Sequence, residues 1–124
     1  SNRMQDILVE EIKPGRTGND ILKTTLDRME DEGISGLVYT HPIGDWGHSA
    51  GPTIGLTDMQ GGVPVRGEIK VRTQTWFSIE LAARVIVPEF GGRTIEFRQE
   101  EDCCINDDGH CEWAYKRQEK FWLV

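Results

Sequence analysis

Two histidines and two glutamates in this chain of 124 residues could together bind a metal ion. His41 and His48 stand seven residues apart, with two glycines between them, and Glu80 and Glu100 lie in two later segments of strand-forming composition. One imidazole with two strand-borne carboxylates suits Mn²⁺, Zn²⁺, Co²⁺ or Fe²⁺, because rigid strands fix the ligand geometry. Taken alone, the histidine spacing also fits a surface loop with incidental histidines.

Two helices are predicted ahead of these residues. The second begins at Thr17, which forms a potential capping box with Asp20, and it ends at Gly33. The first covers residues 4–13 and stops at Pro14, because the residue before a proline avoids the helical region. Its apolar residues have helical spacing: Met4, Ile7, Leu8 and Ile12.

The rest of the chain is predicted to be strand and loop, with Asp107 to Gly109 as a hairpin turn. Side chains alternate along a strand, so Ser78 shares a face with Glu80, and Arg98 shares a face with Glu100. A glycine-rich segment at 44–68 is longer than most loops without a function. The predicted strands are 36–40, 69–73, 75–87, 93–106, 110–115 and 120–124.

Composition narrows the function classes. The length allows at most one domain, and 21 acidic against 14 basic residues give a net charge of −7. An acidic chain without a basic cluster argues against a nucleic-acid partner. The absence of a long apolar run argues against a membrane partner. Three cysteines without CxxC spacing do not form a disulfide framework, so a reducing, cytoplasmic location is expected.

Several short motifs follow one another along the chain: Ile12-Lys13-Pro14-Gly15, His41-Pro42-Ile43-Gly44 with His48, Ser78-Ile79-Glu80, and Arg98-Gln99-Glu100-Glu101 leading to Asp107-Asp108-Gly109. Their order resembles the pita-bread metallopeptidases, the family of methionine aminopeptidase, Xaa-Pro aminopeptidase, prolidase and creatinase. The resemblance covers nearly the whole chain and implies an α+β fold, with two N-terminal helices followed by a curved, mainly antiparallel sheet. Residues 1–124 would then form the C-terminal part of a single catalytic domain.

The resemblance also implies a role for each site residue. His41, Glu80 and Glu100 would be metal ligands, with Glu100 bridging two divalent ions, Mn, Co or Zn, in the full-length parent protein. His48 would lie near the substrate carbonyl, Glu80 would be the acid/base, and Arg98 would fix a ligand carboxylate. The partners implied are short peptides with an N-terminal Xaa-Pro bond.

Several assignments stay open at this level. His48 could be the ligand in place of His41, and Glu101 could replace Glu100. Arg98 could instead form a surface ion pair with Glu96 or Glu100. The fold is also used as a metal-free peptide- or protein-binding module, and in creatinase for a different hydrolysis. Retention of the histidine with both glutamates disfavours these alternatives, because unpaired burial of such groups is costly.

The family's remaining two ligands are aspartates that precede the first helix. Asp6 and Asp20 cannot replace them, because one is expected within a helix and the other at a helix cap. Three of five ligands should hold metal weakly or not at all. We therefore expect the chain alone to be an inactive fragment of a metallopeptidase. Its uncovered apolar surface and strand edges would favour a homo-oligomer.

Overall fold

Two helices open the chain, for which a computed structural model describes residues 1–44, 47–48, 50–121 and 123. Helix α1 is Asn2–Glu11, and α2 is Gly18–Asp31. The predicted capping box is confirmed: the Thr17 hydroxyl accepts from the Asp20 backbone N–H, and the Asp20 side chain accepts from the Thr17 N–H. No helix within the described residues has the length and apolar character needed to cross a membrane.

An antiparallel sheet follows the helices, so the fold is α+β as predicted. The strands are β1 Ser35–Val38, β2 His41–Pro42, β3 Trp76–Val87, β4 Arg93–Ile105 and β5 Cys111–Trp113. The long strands β3 and β4 form a hairpin, β1 and β2 both pair with β3 on its other side, and β5 pairs with β4. The predicted hairpin turn at Asp107 to Gly109 joins β4 to β5.

The core lies between the two helices and one face of the sheet. Alternate residues of β3 are fully buried there, as period-2 patterning requires, and the apolar stripes of α1 and α2 cover them. The opposite face of the central hairpin carries Glu80 and Glu100. The core residues include Met4, Ile7, Leu8, Ile12, Ile21, Leu22, Phe77, Ile79 and Leu81.

The long glycine-rich segment is fastened to the end of β1 by backbone and side-chain hydrogen bonds. Thr40 and Ile54 exchange two backbone hydrogen bonds, at 3.0 and 2.9 Å. The Gln60 side-chain amide bonds to both backbone groups of Val38, as a neighbouring strand would. Its oxygen accepts from the Val38 N–H at 3.1 Å, and its nitrogen donates to the Val38 carbonyl at 2.8 Å. These bonds cover part of an otherwise open strand edge.

Two predicted strands are wrong. Residues 69–73 form no strand; Lys70 makes only an isolated bridge with Thr17, while Val71 exchanges hydrogen bonds with the turn between the helices. At 120–124, the described residues Lys120, Phe121 and Leu123 are not in a strand, and residues 122 and 124 lie outside the described residues. The first helix also starts two residues earlier than predicted, and it ends two residues earlier because Ile12 is already extended.

Gly55 should be essential to the attachment of the glycine-rich segment to the end of β1. Its φ is +73°, and a Cβ there would lie 2.2 Å from the Val38 carbonyl oxygen. We expect Gly55→Ala to lower the free energy of unfolding by at least about 1 kcal/mol in urea titrations. Gly61→Ala is the matched control, because a Cβ at Gly61 meets nothing within 4 Å. Equal effects of the two substitutions would contradict this account of the segment.

Candidate metal centre

Three side chains from three neighbouring strands converge on one point of the sheet. His41 on β2 stands opposite Ser78 on β3, and Glu80 on β3 stands directly opposite Glu100 on β4. One ligand atom from each of His41, Glu80 and Glu100 lies within 4.8 Å of the other two. The structure therefore brings together the three residues predicted as metal ligands.

The register of the β3–β4 hairpin makes this point strongly negative. Like charges directly opposite each other in an antiparallel pair destabilise the sheet, yet Glu80 and Glu100 are such a pair. Among the described residues, the only basic side chain close to the Glu80 carboxylate is His41, whose Nε2 lies 3.2 Å from Glu80 Oε2. Two carboxylates and an imidazole at this separation form a donor set that suits a borderline divalent cation.

The His41 ring is oriented for binding a cation. Its Nδ1 lies 3.0 Å from the Pro42 carbonyl oxygen, which can only accept a hydrogen bond, so Nδ1 carries the hydrogen. Its Nε2 is buried and lies 3.2 Å from Glu80 Oε2, but makes no hydrogen bond with any described residue. Metal-binding histidines commonly donate their other ring N–H to a backbone carbonyl in this way. The residues present therefore fit a metal ion.

Ser78 holds one of the two glutamates. Its buried hydroxyl donates a 2.6 Å hydrogen bond to Oε1 of Glu100. The other carboxylate oxygen of Glu100, Oε2, takes no part in this bond. The alternation of side chains along the strand already placed Ser78 on the face of Glu80. The hydrogen-bond partner of Ser78, however, depends on the register of the β3–β4 hairpin. The sequence did not reveal that register, and Ser78 was therefore missed as a site residue.

Residues just before His41 fix the backbone of Glu80. The Glu80 carbonyl oxygen accepts from the Tyr39 backbone N–H and from the Thr40 hydroxyl, both at 3.1 Å. The Tyr39 hydroxyl donates to the Leu81 carbonyl at 3.3 Å. Burial raises the pKa of Tyr39; the charge of Arg98 opposes this effect, and the neighbouring carboxylates add to it. Tyr39 is therefore a neutral phenol beside an acidic site.

His48 lies against His41. The two rings stack with their centroids 4.2 Å apart and their planes 16° apart, and His48 is exposed. This leaves His41 next to the carboxylates and His48 on the solvent side of the cluster. The roles of ligand for His41 and substrate-facing residue for His48 stay predictions.

Among the described residues, Arg98 forms no hydrogen bond or ion pair with His41, Glu80 or Glu100. Its Nε and Nη2 lie 2.9 and 2.8 Å from Oε1 of Glu96, and its side chain is 65% exposed. Hydrogen bonds from Arg84 and Arg98 lower the pKa of Glu96. The structure thus shows the surface ion pair that the sequence left open, and a role for Arg98 in fixing a ligand stays a prediction.

Glu101 faces away from the cluster. It pairs with Ile79 on the core-facing register, and its carboxylate accepts a 2.9 Å hydrogen bond from the Gln118 backbone N–H. In this structure Glu100, and not Glu101, is the β4 glutamate beside His41 and Glu80.

Comparison with known proteins gives a structural likeness only. No protein-family model matches the chain, and no curated protein sequence matches it. The structure is similar to that of an X-Pro aminopeptidase from Thermotoga maritima MSB8, with a TM-score of 0.68 and 20% identity. It is also similar to a methionine aminopeptidase from Rickettsia prowazekii, with a TM-score of 0.56 and 17% identity.

The chain spans only part of both proteins. The first alignment covers 99% of this chain and 31% of the X-Pro aminopeptidase, and the second covers 90% of this chain and 49% of the methionine aminopeptidase. At these identities the likeness establishes the fold. The chain therefore shares the architecture of these aminopeptidases, which is the pita-bread fold that the sequence motifs implied.

Proposed function

We propose that this chain is the C-terminal catalytic portion of a dinuclear metallopeptidase that cleaves N-terminal Xaa-Pro peptide bonds. The observation that carries the proposal is the convergence of His41, Glu80 and Glu100 at one point of an aminopeptidase-like fold. When bound, two divalent ions, Mn, Co or Zn, would polarise the scissile carbonyl and activate a bridging water.

Each residue at the site has a task that its position supports. Glu80, a carboxylate facing His41, would accept the proton of the attacking water at a carboxylate oxygen. Glu100, held by Ser78, would keep its free oxygen directed into the site. His48 is exposed beside the cluster and would donate a hydrogen bond from its ring to the substrate carbonyl oxygen as negative charge develops there.

The Xaa-Pro preference is supported by two features. The long segment after His41 resembles the X-Pro branch of the family more than the methionine aminopeptidase branch. Of the two structures compared above, the X-Pro aminopeptidase has the higher TM-score and aligns with more of this chain. One departure is Leu81, which stands where the family usually has proline after the first glutamate.

Among the described residues, three side chains that could bind a metal ion cluster at the site, and Asp6 and Asp20 are not part of that cluster. Asp6 forms an ion pair with Arg117, and Asp20 caps α2. We therefore propose that the isolated chain binds metal weakly and lacks peptidase activity, and that the parent protein supplies two further carboxylates. The exposed apolar residues Val85, Ile86 and Phe90 at the tip of the β3–β4 hairpin support association into a homo-oligomer.

Metal binding by the isolated chain should depend on the clustered carboxylates. In a Mn²⁺ titration followed by the electron paramagnetic resonance signal of free Mn²⁺, we expect Glu80→Gln and Glu100→Gln each to weaken binding roughly tenfold or more. Glu101→Gln is the matched control: it removes a charge at the next position of the same strand, but from the opposite face. Binding that is unchanged in the first two variants would place the ion elsewhere.

Activity should require the longer protein. With added Mn²⁺, we expect the 124-residue chain to leave an Xaa-Pro peptide intact, and the parent protein to hydrolyse it. Glu80→Ala in the parent should abolish hydrolysis, because both a ligand and the proton acceptor are lost. Hydrolysis by the isolated chain, abolished by Glu80→Ala, would overturn the fragment proposal. Less than about one metal ion per protomer in a reconstituted, inactive parent would favour the metal-free binding module.

A further inference from the structure

Two of the three cysteines lie against each other across neighbouring strands. Cys103 is near the end of β4 and Cys111 begins β5. Cys111 pairs with Ile105, so Cys103, two residues before Ile105, is on the same face of the sheet. The two Sγ atoms are 2.6 Å apart, and both cysteines are free thiols.

We propose that Cys103 and Cys111 are a modification site, at which a small disulfide such as oxidised glutathione converts the two thiols into an intrachain disulfide. The two sulfur atoms are already in direct contact, and a disulfide requires them to approach to the bond length of ~2.05 Å. The bond would tie the short strand β5 to the strand that carries Glu100. This proposal is independent of the metal centre and of the proposed peptidase activity.

The two cysteines differ in burial, which sets the order of the chemistry. Cys103 is fully buried, whereas Cys111 is partly exposed. The contact with Cys111 and burial both raise the pKa of Cys103, so this thiol stays protonated. Cys111 is therefore the residue that meets the oxidant first, and Cys103 is the residue that resolves the intermediate.

The exchange balances in two steps. The Cys111 thiolate attacks one sulfur of oxidised glutathione, forming a mixed disulfide and releasing one glutathione thiolate. The Cys103 thiol then gives its proton to the released glutathione thiolate, and its sulfur attacks the Cys111 sulfur, releasing the second glutathione as a thiolate. Two protein thiols are oxidised, and one disulfide is reduced to two molecules of glutathione.

Cys104 is a built-in control. It is next to Cys103, but it is on the other face of the strand and pairs with Glu112. Its Sγ contacts the Ile105 carbonyl oxygen at 3.7 Å and has no contact with another thiol among the described residues. Because Cys104 has the same side chain as Cys103 but the opposite orientation, it distinguishes an effect of thiol proximity from an effect of the number of cysteines.

The test treats the folded chain with oxidised glutathione and then alkylates the remaining thiols in denaturant. We expect alkylated thiols to fall from three to one in the wild type and from two to none in Cys104→Ala. Cys111→Ser and Cys103→Ala should form no intrachain disulfide. Cleavage before aspartate separates the two cysteines at Asp107, so mass spectrometry should find the two resulting peptides joined.

Three results would overturn the proposal. They are a wild-type chain that retains all its thiols, a disulfide between the adjacent Cys103 and Cys104, and a cross-link that survives in Cys103→Ala. Cys111→Ser keeps the test decisive if Cys103→Ala does not fold, because position 111 is only half-buried.

Discussion

The pairing of Glu80 with Glu100 across the β3–β4 hairpin is the constraint on which the rest of the site depends. A shift of this register by one residue would turn Glu100 to the core face and bring Glu101 to the site. The register is protected by burial, because Phe77, Ile79 and Leu81 fill the core on the other face of β3. The helices therefore act on the site indirectly, by making any other alignment of the hairpin unfavourable.

The third side of the site depends on how the chain enters and leaves β2. His41 reaches the carboxylates because the preceding residues, Tyr39 and Thr40, bond to the Glu80 backbone. The segment that follows is tied back to β1 through Ile54 and Gln60. A two-residue strand has little stability of its own, so these bonds hold the histidine in place. The negative charge gathered there is unfavourable for the bare protein and becomes favourable when a cation is bound.

Local signals predicted much of this structure, and long-range contacts account for the rest. The capping box at Thr17 and the alternation along β3 depend on near neighbours, so both could be deduced from the sequence. Residues 69–73 resemble a strand in composition, but their backbone bonds go to the turn between the helices, and no local pattern encodes that choice. The Ser78–Glu100 hydrogen bond and the approach of Cys103 to Cys111 need strand registers that composition does not specify.

The location of a bound ion tests the central claim most directly. Crystals of the chain soaked in Mn²⁺ can be examined by anomalous scattering, which places manganese independently of any assumed site. The account predicts a peak within ~2.0–2.3 Å of His41 Nε2 and of an oxygen from each of Glu80 and Glu100, with Nδ1 still bonded to the Pro42 carbonyl. A peak away from these residues, or an empty cluster at a saturating Mn²⁺ concentration, would contradict it.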